Sequence, residues 1–368
     1  MIPSAHRQTW AEIDLSAICR NIIKIKKHIS EQAKLWAVVK ANAYGHGAVR
    51  VAQAVEKLTD GFCVSNLDEA IQLREAGIKK KILILAAIAP QNTNIAKDYK
   101  LTITAPSLEW LSLVLNEGQD LLDLEMQIKV DSGMGRIGIK KVEEANLMIE
   151  MMDKAGIIFD GIFTHFATAD ESETEKFDQQ VRYFDCFILG LTRRPRYVHS
   201  TNSAAAIWHP DQVQDVERLG LGLYGLDPSN AALSLPFDLE PALSLKSEIS
   251  HIKKVKKGET IGYGATYIAD ETTFIATLPI GYADGWTRSM QSFFVLIDGK
   301  FCEIIGRVSM DQMTIKLDKA YPLGTEVTLI GKDKQKKITV DEIANWRHTI
   351  NYEVITTLSD RIYRKYIN

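Results

Sequence analysis

Along the first two-thirds of the chain, short continuous apolar runs alternate with longer amphipathic stretches. The runs are LWAVVK, GFCVS, KILILAA, LTITA, LEMQIKV, IIFDGIFTHF, RYVHS and DVERL. Runs that are apolar throughout, rather than at every second position, suit parallel strands covered on both faces. Helical patterns lie between them. NLDEAIQLREAG offers Asn66 as an N-cap and Gly77 as a stop, and VEEANLMIEMMDKAG stops on Gly156. A succession of eight such strand–helix units predicts a (β/α)8 barrel of the TIM type over residues 1–238.

The pattern changes between Pro236 and Pro241. Beyond it, ALSLKSEISHIKKV, FIATLPI, SFFVLID, KFCEIIGRV, MTIKL and EVTLIG follow one another without long helices. Lys257-Gly258 and Asp298-Gly299 punctuate them as turns. This predicts an all-β domain over residues 239–368, with a late helix at VDEIANWRHT. The fold class is α/β: an N-terminal (β/α)8 barrel followed by a C-terminal all-β domain. Neither part carries a visible internal repeat or low-complexity tract.

Composition narrows the class. The chain has 368 residues, 46% hydrophobic and 25% charged, as in an ordinary soluble enzyme. A formal net charge of -3 gives no attraction to nucleic acid or to a membrane surface. The longest apolar run, residues 82–90, is too short to span a bilayer. The start, MIPSAHRQTWAEIDLSAI, lacks the apolar core of a signal peptide, so a cytoplasmic protein is expected. Cys19, Cys63, Cys186 and Cys302 are scattered and read as free buried thiols, with no disulfide and no metal implied.

Candidate chemistry gathers at strand ends. Lys40 closes an apolar strand, and barrel sites lie at the C-terminal ends of strands. A lysine in a poorly solvated mouth loses proton affinity, which frees its amine for nucleophilic attack. On position alone a surface lysine is the commoner case. Tyr44, Gly45 and Gly47 then suit a polar ligand lying close to the backbone. GMGRIG, residues 133–138, matches a dinucleotide fingerprint. However, Asp131 and Ser132 separate it from its strand, and it falls in the fifth unit, so Arg136 reads better as a partner for an anion or a phenol. His165 and Arg218 also end strands and would share one mouth. Asn202-Ser203 opens a small-residue segment suited to phosphate, although an N-cap without ligand is commoner. In the β domain, Tyr263, Tyr282 and Tyr352 sit in GYGATY, PIGYADGW and INYEV, where plain packing is also open.

Taken together, these segments resemble the alanine racemase family. The resemblance runs from about Arg7 to Arg361, through TWAEIDLSAI, VVKANAYGHG, KVDSGMGRIG, THFATAD, NSAAA, RLGLGLYG, GYGATY, PIGYADGW, GRVSMDQM and INYEV. It implies pyridoxal 5′-phosphate (PLP) as cofactor, with Lys40 as the Schiff-base lysine. Tyr263 is implied as a second base, donated by the other subunit of a homodimer. Arg218 should face the pyridine nitrogen, His165 should link Arg218 to Tyr263, and Arg136 should lie near the phenolic oxygen. Lys129 matches a lysine that is carbamylated in many members. Tyr44, Ser203, Tyr352 and the backbone of Gly220 and Leu221 should hold the phosphate. Met310, with Arg136 and Tyr282, should contact the substrate, and Asp170, Arg288 and Arg307 should line its access path. Ser309 stands where many members have cysteine, and the tail TTLSDRIYRKY departs from the usual ending.

The implied activity is interconversion of L- and D-alanine, supplying D-alanine for peptidoglycan. The enantiomers have equal free energy, so only the barrier matters. Two bases on opposite faces avoid turning the substrate over between proton removal and return. A serine or broad-specificity racemase is the nearest rival. A non-catalytic PLP-binding protein would need only the barrel, so the β domain carrying Tyr263 argues against it.

Overall fold

The computed structural model describes residues 2–368. The chain forms two compact units. One contains residues Ile18–Ala43 and Ala48–Glu240. The other contains the segment up to Ala17, Tyr44–Gly47 and Pro241–Asn368.

A first strand, β1 (Thr9–Asp14), precedes eight strands that form one sheet. These are β2 (Lys34–Val38), β3 (Gly61–Val64), β4 (Lys81–Ile84), β5 (Thr102–Ala105), β6 (Glu125–Lys129), β7 (Ile158–Phe163), β8 (Tyr197–His199) and β9 (Val216–Leu219). All pairings within the sheet are parallel, in the order β8-β7-β6-β5-β4-β3-β2-β9. At the seam between β8 and β9, Asp215 donates its N–H to Val198 O at 3.1 Å and accepts from Val198 N at 2.7 Å. The sheet is therefore a nearly closed barrel. The eight apolar runs of the sequence each became one of these strands, because a parallel strand under helices buries both faces. The predicted helix after β3 runs Leu67–Glu75. Asn66 Oδ1 accepts the Glu69 N–H at 2.9 Å, and Gly77 takes φ 91° just past the helix end.

The second unit carries β10 (Leu243–Glu248), β11 (His251–Val255), β12 (Thr260–Ile261), β13 (Tyr267–Ile268), β14 (Thr273–Leu278), β15 (Phe294–Ile297), β16 (Lys300–Ile305), β17 (Met313–Leu317), β18 (Glu326–Asp333), β19 (Lys336–Ile338) and β20 (Tyr363–Ile367). The main sheet runs β11-β14-β17-β16-β15-β18-β10-β1-β20, with β19 on β18 and β12-β13 as a separate hairpin. Asp298 and Gly299, both with positive φ, make the tight turn from β15 to β16. The late helix is Val340–Trp346, capped reciprocally by Thr339 and Glu342.

Domain assignment needs one correction. The expected division at 238/239 places residues 1–17 in the barrel, yet β1 pairs antiparallel with β10 and parallel with β20. The physical reason is visible in TWAEID. Its positions alternate between buried and half-buried, the period of a strand with one wetter face rather than of a barrel strand. Tyr44–Gly47 also belongs to the β unit. All four cysteines are free, but only Cys63 and Cys302 are buried; Cys186 is exposed. No helix among the described residues is long and apolar enough to cross a membrane.

Candidate active site

Lys40 lies two residues beyond β2, where the chain turns left-handed. Ala41, Asn42, Ala43 and Tyr44 all have φ between 51° and 54°. A left-handed residue with a Cβ costs about 1–2 kcal/mol. The Ala41 N–H donates to Glu69 Oε1 and the Ala48 N–H to Asn42 Oδ1, both at 2.8 Å. At about 1 kcal/mol for an ordinary hydrogen bond and somewhat more for one to a carboxylate, these two offset only part of the strain. Strain of this kind is characteristically kept where a site needs it. Beyond the turn, Gly45 (φ 83°) and Gly47 (φ 98°) leave no room for a side chain. A Cβ would meet Ile355 O at 2.3 Å and Tyr366 Oη at 1.9 Å. Burial, and then the charge of Arg136, lower the proton affinity of the Lys40 amine.

Arg218 on β9 is 3% exposed. Its Nη1 donates to His199 Nδ1 at 2.5 Å, and its Nη2 donates to the carbonyl oxygens of Thr164 and Ser200 at 2.9 Å each. His165 Nδ1 lies farther off, at 3.5 Å. All of these acceptors are neutral, so the guanidinium keeps its charge for another partner. Burial first, then Arg218 and Lys129, push the His165 and His199 imidazoles well below the usual histidine range. Both rings are therefore neutral at pH 7.

Lys129, the last residue of β6, is 4% exposed and its Nζ has no hydrogen-bond partner. It lies 4.8 Å from the centre of the Phe163 ring. Burial and then the charges of Arg218 and Arg136 hold its amine well below the usual lysine range. GMGRIG, separated from β6 by three residues, opens no helix. Asp131 Oδ1 gathers the N–H groups of Gly133 and Gly135, and Ile139 returns to bond Lys129 O. A Cβ at Gly138 would strike the Asp131 backbone at 2.7 Å. The glycines thus serve a loop folded against its own strand, which excludes the dinucleotide reading. Arg136 sits exposed on this loop.

Ser203 is the first residue of helix Ser203–Trp208, and Asn202 is the N-cap. The Ser203 Oγ accepts the N–H groups of Gly220 and Gly222 at 2.8 and 3.2 Å, leaving its own O–H to donate. Gly220 and Leu221 follow β9 directly, and Asp170 lies beyond β7 with its carboxyl raised by burial.

The remaining expected residues form a second group, in the β unit. Tyr44 and Tyr352 face each other with ring centres 6.2 Å apart. Tyr263 sits on a single turn between Gly262 and Gly264 and is 71% exposed. A Cβ at Gly264 would lie 2.9 Å from Nη1 of Arg307. Tyr282 and Met310 occupy neighbouring loops: Tyr282 N bonds Ser309 O, and Ala283 N bonds Met310 O, each at 3.0 Å. Arg288 follows on an exposed turn.

Residues 13–228 match the Alanine racemase, N-terminal domain family, and residues 242–366 match the Alanine racemase, C-terminal domain family. The chain belongs to the alanine racemase family. A curated alanine racemase of Lactococcus lactis subsp. cremoris (strain SK11) is 61% identical over 366 residues, with 100% of both chains covered. The crystal structure of alanine racemase from E. faecalis superposes with a TM-score of 0.97 at 45% identity, covering 100% of each chain. A histidine racemase from Leuconostoc mesenteroides subsp. sake superposes with a TM-score of 0.95 at 31% identity, again over 100% of each chain.

Sequence reasoning missed His199, Gln127 and Asp160. His199 ends β8 within RYVHS, a run read only as a strand. It is the imidazole in short contact with Arg218, whereas His165 makes the long one. The signal was present: a histidine at a strand end, the same cue that singled out His165.

Proposed function

We propose that this chain interconverts L- and D-alanine, with PLP held covalently by Lys40 and each active site shared between two copies of the chain. The observation carrying this reading is the Lys40 amine of a family member, lowered in proton affinity by burial and set at a left-handed turn beyond a barrel strand end. The donor set suits PLP. Ser203 keeps an O–H to donate beside the Gly220–Leu221 backbone, a pair suited to a phosphate, and Tyr44 and Tyr352 are proposed as its further ligands. Arg218 offers a guanidinium to the ring nitrogen. When bound, PLP supplies a conjugated ring that delocalises the electron pair left at Cα once its proton is removed.

The chain's own residues handle the proton. Lys40 Nζ takes it from one face, or returns it there. Tyr263 Oη, contributed by a second copy, serves the opposite face; its exposure suits a residue acting outside its own unit. Arg218 stays charged and donates no proton, because guanidinium does not deprotonate in proteins. Neutral His165 lies between these roles. Arg136, Met310 and Tyr282 bind the substrate, and Asp170, Arg288 and Arg307 line its path. Lys129, buried, unpaired and held well below the usual lysine range, is suited to carbamylation, the product anion being balanced by Arg136 and Arg218. The D-alanine formed supplies peptidoglycan from the cytoplasm.

The test is chiral analysis of L-alanine turnover by the PLP-loaded protein, with borohydride reduction followed by peptide mass mapping. D-alanine formation and a reduced cofactor on Lys40 are expected. Lys40→Ala and Tyr263→Phe should each abolish turnover. No cofactor uptake, or full activity in either variant, overturns the reading. A histidine racemase on this fold shows that the fold alone does not set the side chain accepted. A serine or broader specificity is read from the same assay with L-serine and L-histidine.

A further inference from the structure

A chain of buried hydrogen bonds runs from Arg218 along the barrel interior. An arginine N–H only donates, so His199 Nδ1 accepts and the imidazole proton resides on Nε2. His199 Nε2 then donates to Gln127 Oε1 at 2.8 Å. This leaves the Gln127 amide nitrogen to donate to Asp160 Oδ2 at 2.9 Å, while Asp160 Oδ1 accepts from Lys81 Nζ at 3.0 Å. Lys81 also bonds Glu125, at the start of β6. Every donor in the chain points the same way, from Arg218 towards Asp160. Gln127, Asp160 and His199 are each 0% exposed.

Three further features serve the same arrangement. The β6–β7 register shifts between Met126 and Gln127, which pair with Phe159 and Gly161, so Asp160 is the extra residue of a bulge. Bulges re-aim side chains beside active sites. Gly161 gives Gln127 its room, since a Cβ there would lie 2.7 Å from Gln127 Cδ and 2.8 Å from Nε2. The His199 ring lies parallel to Phe163 at 5.0 Å and edge-on to Trp36 at 5.4 Å, so it is held in plane.

We infer that Gln127 and Asp160 are positioning residues: they fix the tautomer of His199, and through it the guanidinium of Arg218. The carboxylate acts by polarity. Asp160 can only accept, so Gln127 must present its amide nitrogen to Asp160 and its oxygen to His199. His199 must then present a lone pair to Arg218. The tautomer is a property of this chain alone. Its consequence for catalysis rests on the proposed racemase reading.

Asp160→Asn is the decisive variant, because it keeps the shape and removes the constraint. Lys81 holds the new amide oxygen, so the amide nitrogen faces Gln127. Gln127 then turns over, and His199 must move its proton to Nδ1, against the Nη1 of Arg218. The measurement is 15N NMR of histidine-labelled, cofactor-free protein, with the His199 signal assigned from His199→Gln. The native protein should show the Nε2–H tautomer, and Asp160→Asn should show Nδ1–H. Gln127→Leu leaves Arg218 alone to hold Nδ1 as the acceptor, so it should keep Nε2–H and lose only the bond at Nε2. Gln127→Glu in its protonated form accepts from His199 and donates to Asp160, so it should retain the native one. In the loaded enzyme, Asp160→Asn should shift the cofactor's visible absorption. It should also lower kcat on the order of tenfold with little change in KM, the scale of one hydrogen bond to a charged group. An Nδ1–H tautomer in the native protein, or an unchanged tautomer in Asp160→Asn, overturns the inference. A tautomer switch in a protein that turns over no alanine upholds the relay and defeats the racemase reading instead.

Discussion

Arg7 grips Asp284 with two parallel hydrogen bonds, Nη1 to Oδ1 at 2.6 Å and Nη2 to Oδ2 at 2.7 Å. The Asp284 side chain is completely buried, and Oδ2 also accepts the Gly281 N–H at 3.0 Å. Arg7 Nη2 reaches on to Asp311 O, next to Met310. One arginine from the N-terminal segment thus ties together the loops that carry Tyr282 and Met310. Removing one partner of such a pair strands the other charge. Arg361 lies near Asp284 at 3.5 Å and can take up part of the loss. Arg7→Ala is therefore expected to destabilise the protein by about 3 kcal/mol, the low end for a broken buried pair. Urea denaturation measures this, and a loss below about 1 kcal/mol, the scale of a surface pair, would mean the clamp carries little.

Much of the fold was legible because burial acts on the sequence in a simple way. Strands such as KILI had to be apolar on both faces, and the eight runs declared the barrel. β1 was legible too, since TWAEID alternates, but its position before the barrel masked that signal. The left-handed turn after Lys40 was not legible. Ala41, Asn42, Ala43 and Tyr44 show no run of glycine, and one of the bonds that hold them comes from the distant Glu69. Nor was the relay behind Arg218. Gln127 stands inside an apolar strand and His199 at the end of one, and their partners lie on other strands far away in sequence. A single polar residue in such a run gives no hint of which neighbour will satisfy it.

Glu217, on β9 beside Arg218, is a buried carboxyl whose oxygens make no well-formed hydrogen bond. Burial pushes it up to about 7 from 4.5, with Thr201 and Arg218 offsetting this only in part. Between these two values the folded protein holds a proton that the unfolded chain has released. Stability therefore falls as pH rises through this window, and above it the full loss applies. The shift corresponds to about 3 kcal/mol. Glu217→Gln should raise unfolding stability at pH 8 by up to about that amount and leave it nearly unchanged near pH 4.5. His165 and His199 act in the opposite sense on acidification, but they are common to both proteins and cancel in the comparison. An equal gain at both pH values would show that ionisation of Glu217 is not the cause.

Lys129 should react with carbon dioxide. The unprotonated form of its amine attacks the carbon, a proton leaves the nitrogen, and the carbamate anion forms beside the charges of Arg136 and Arg218 that now lower the amine's proton affinity. Protein equilibrated with 13C-bicarbonate should show one carbamate carbon resonance, absent from Lys129→Ala. If native protein and variant give the same spectrum, the Lys129 amine remains unmodified. A carbamate is also expected to stabilise the fold, since its anion meets the positive charges of Arg218 and Arg136. Removal of carbon dioxide should accordingly lower Tm in the native protein and not in the variant.

Lys40 and Tyr263 belong to different compact units of one chain, and the proposed mechanism draws them from different chains in each active site. Complementation separates this from a site built within one chain. Lys40→Ala and Tyr263→Phe proteins are each expected to be inactive alone. In a hybrid dimer of the two, one shared site would carry both lesions and the other would carry neither. Mixed and re-associated samples should then recover racemase activity in proportion to the hybrid fraction. If each chain instead used its own Lys40 and Tyr263, every site in the hybrid would keep one lesion and mixing would restore nothing. Chiral assay of samples mixed after reversible dissociation, against each variant dissociated alone, reads the difference directly.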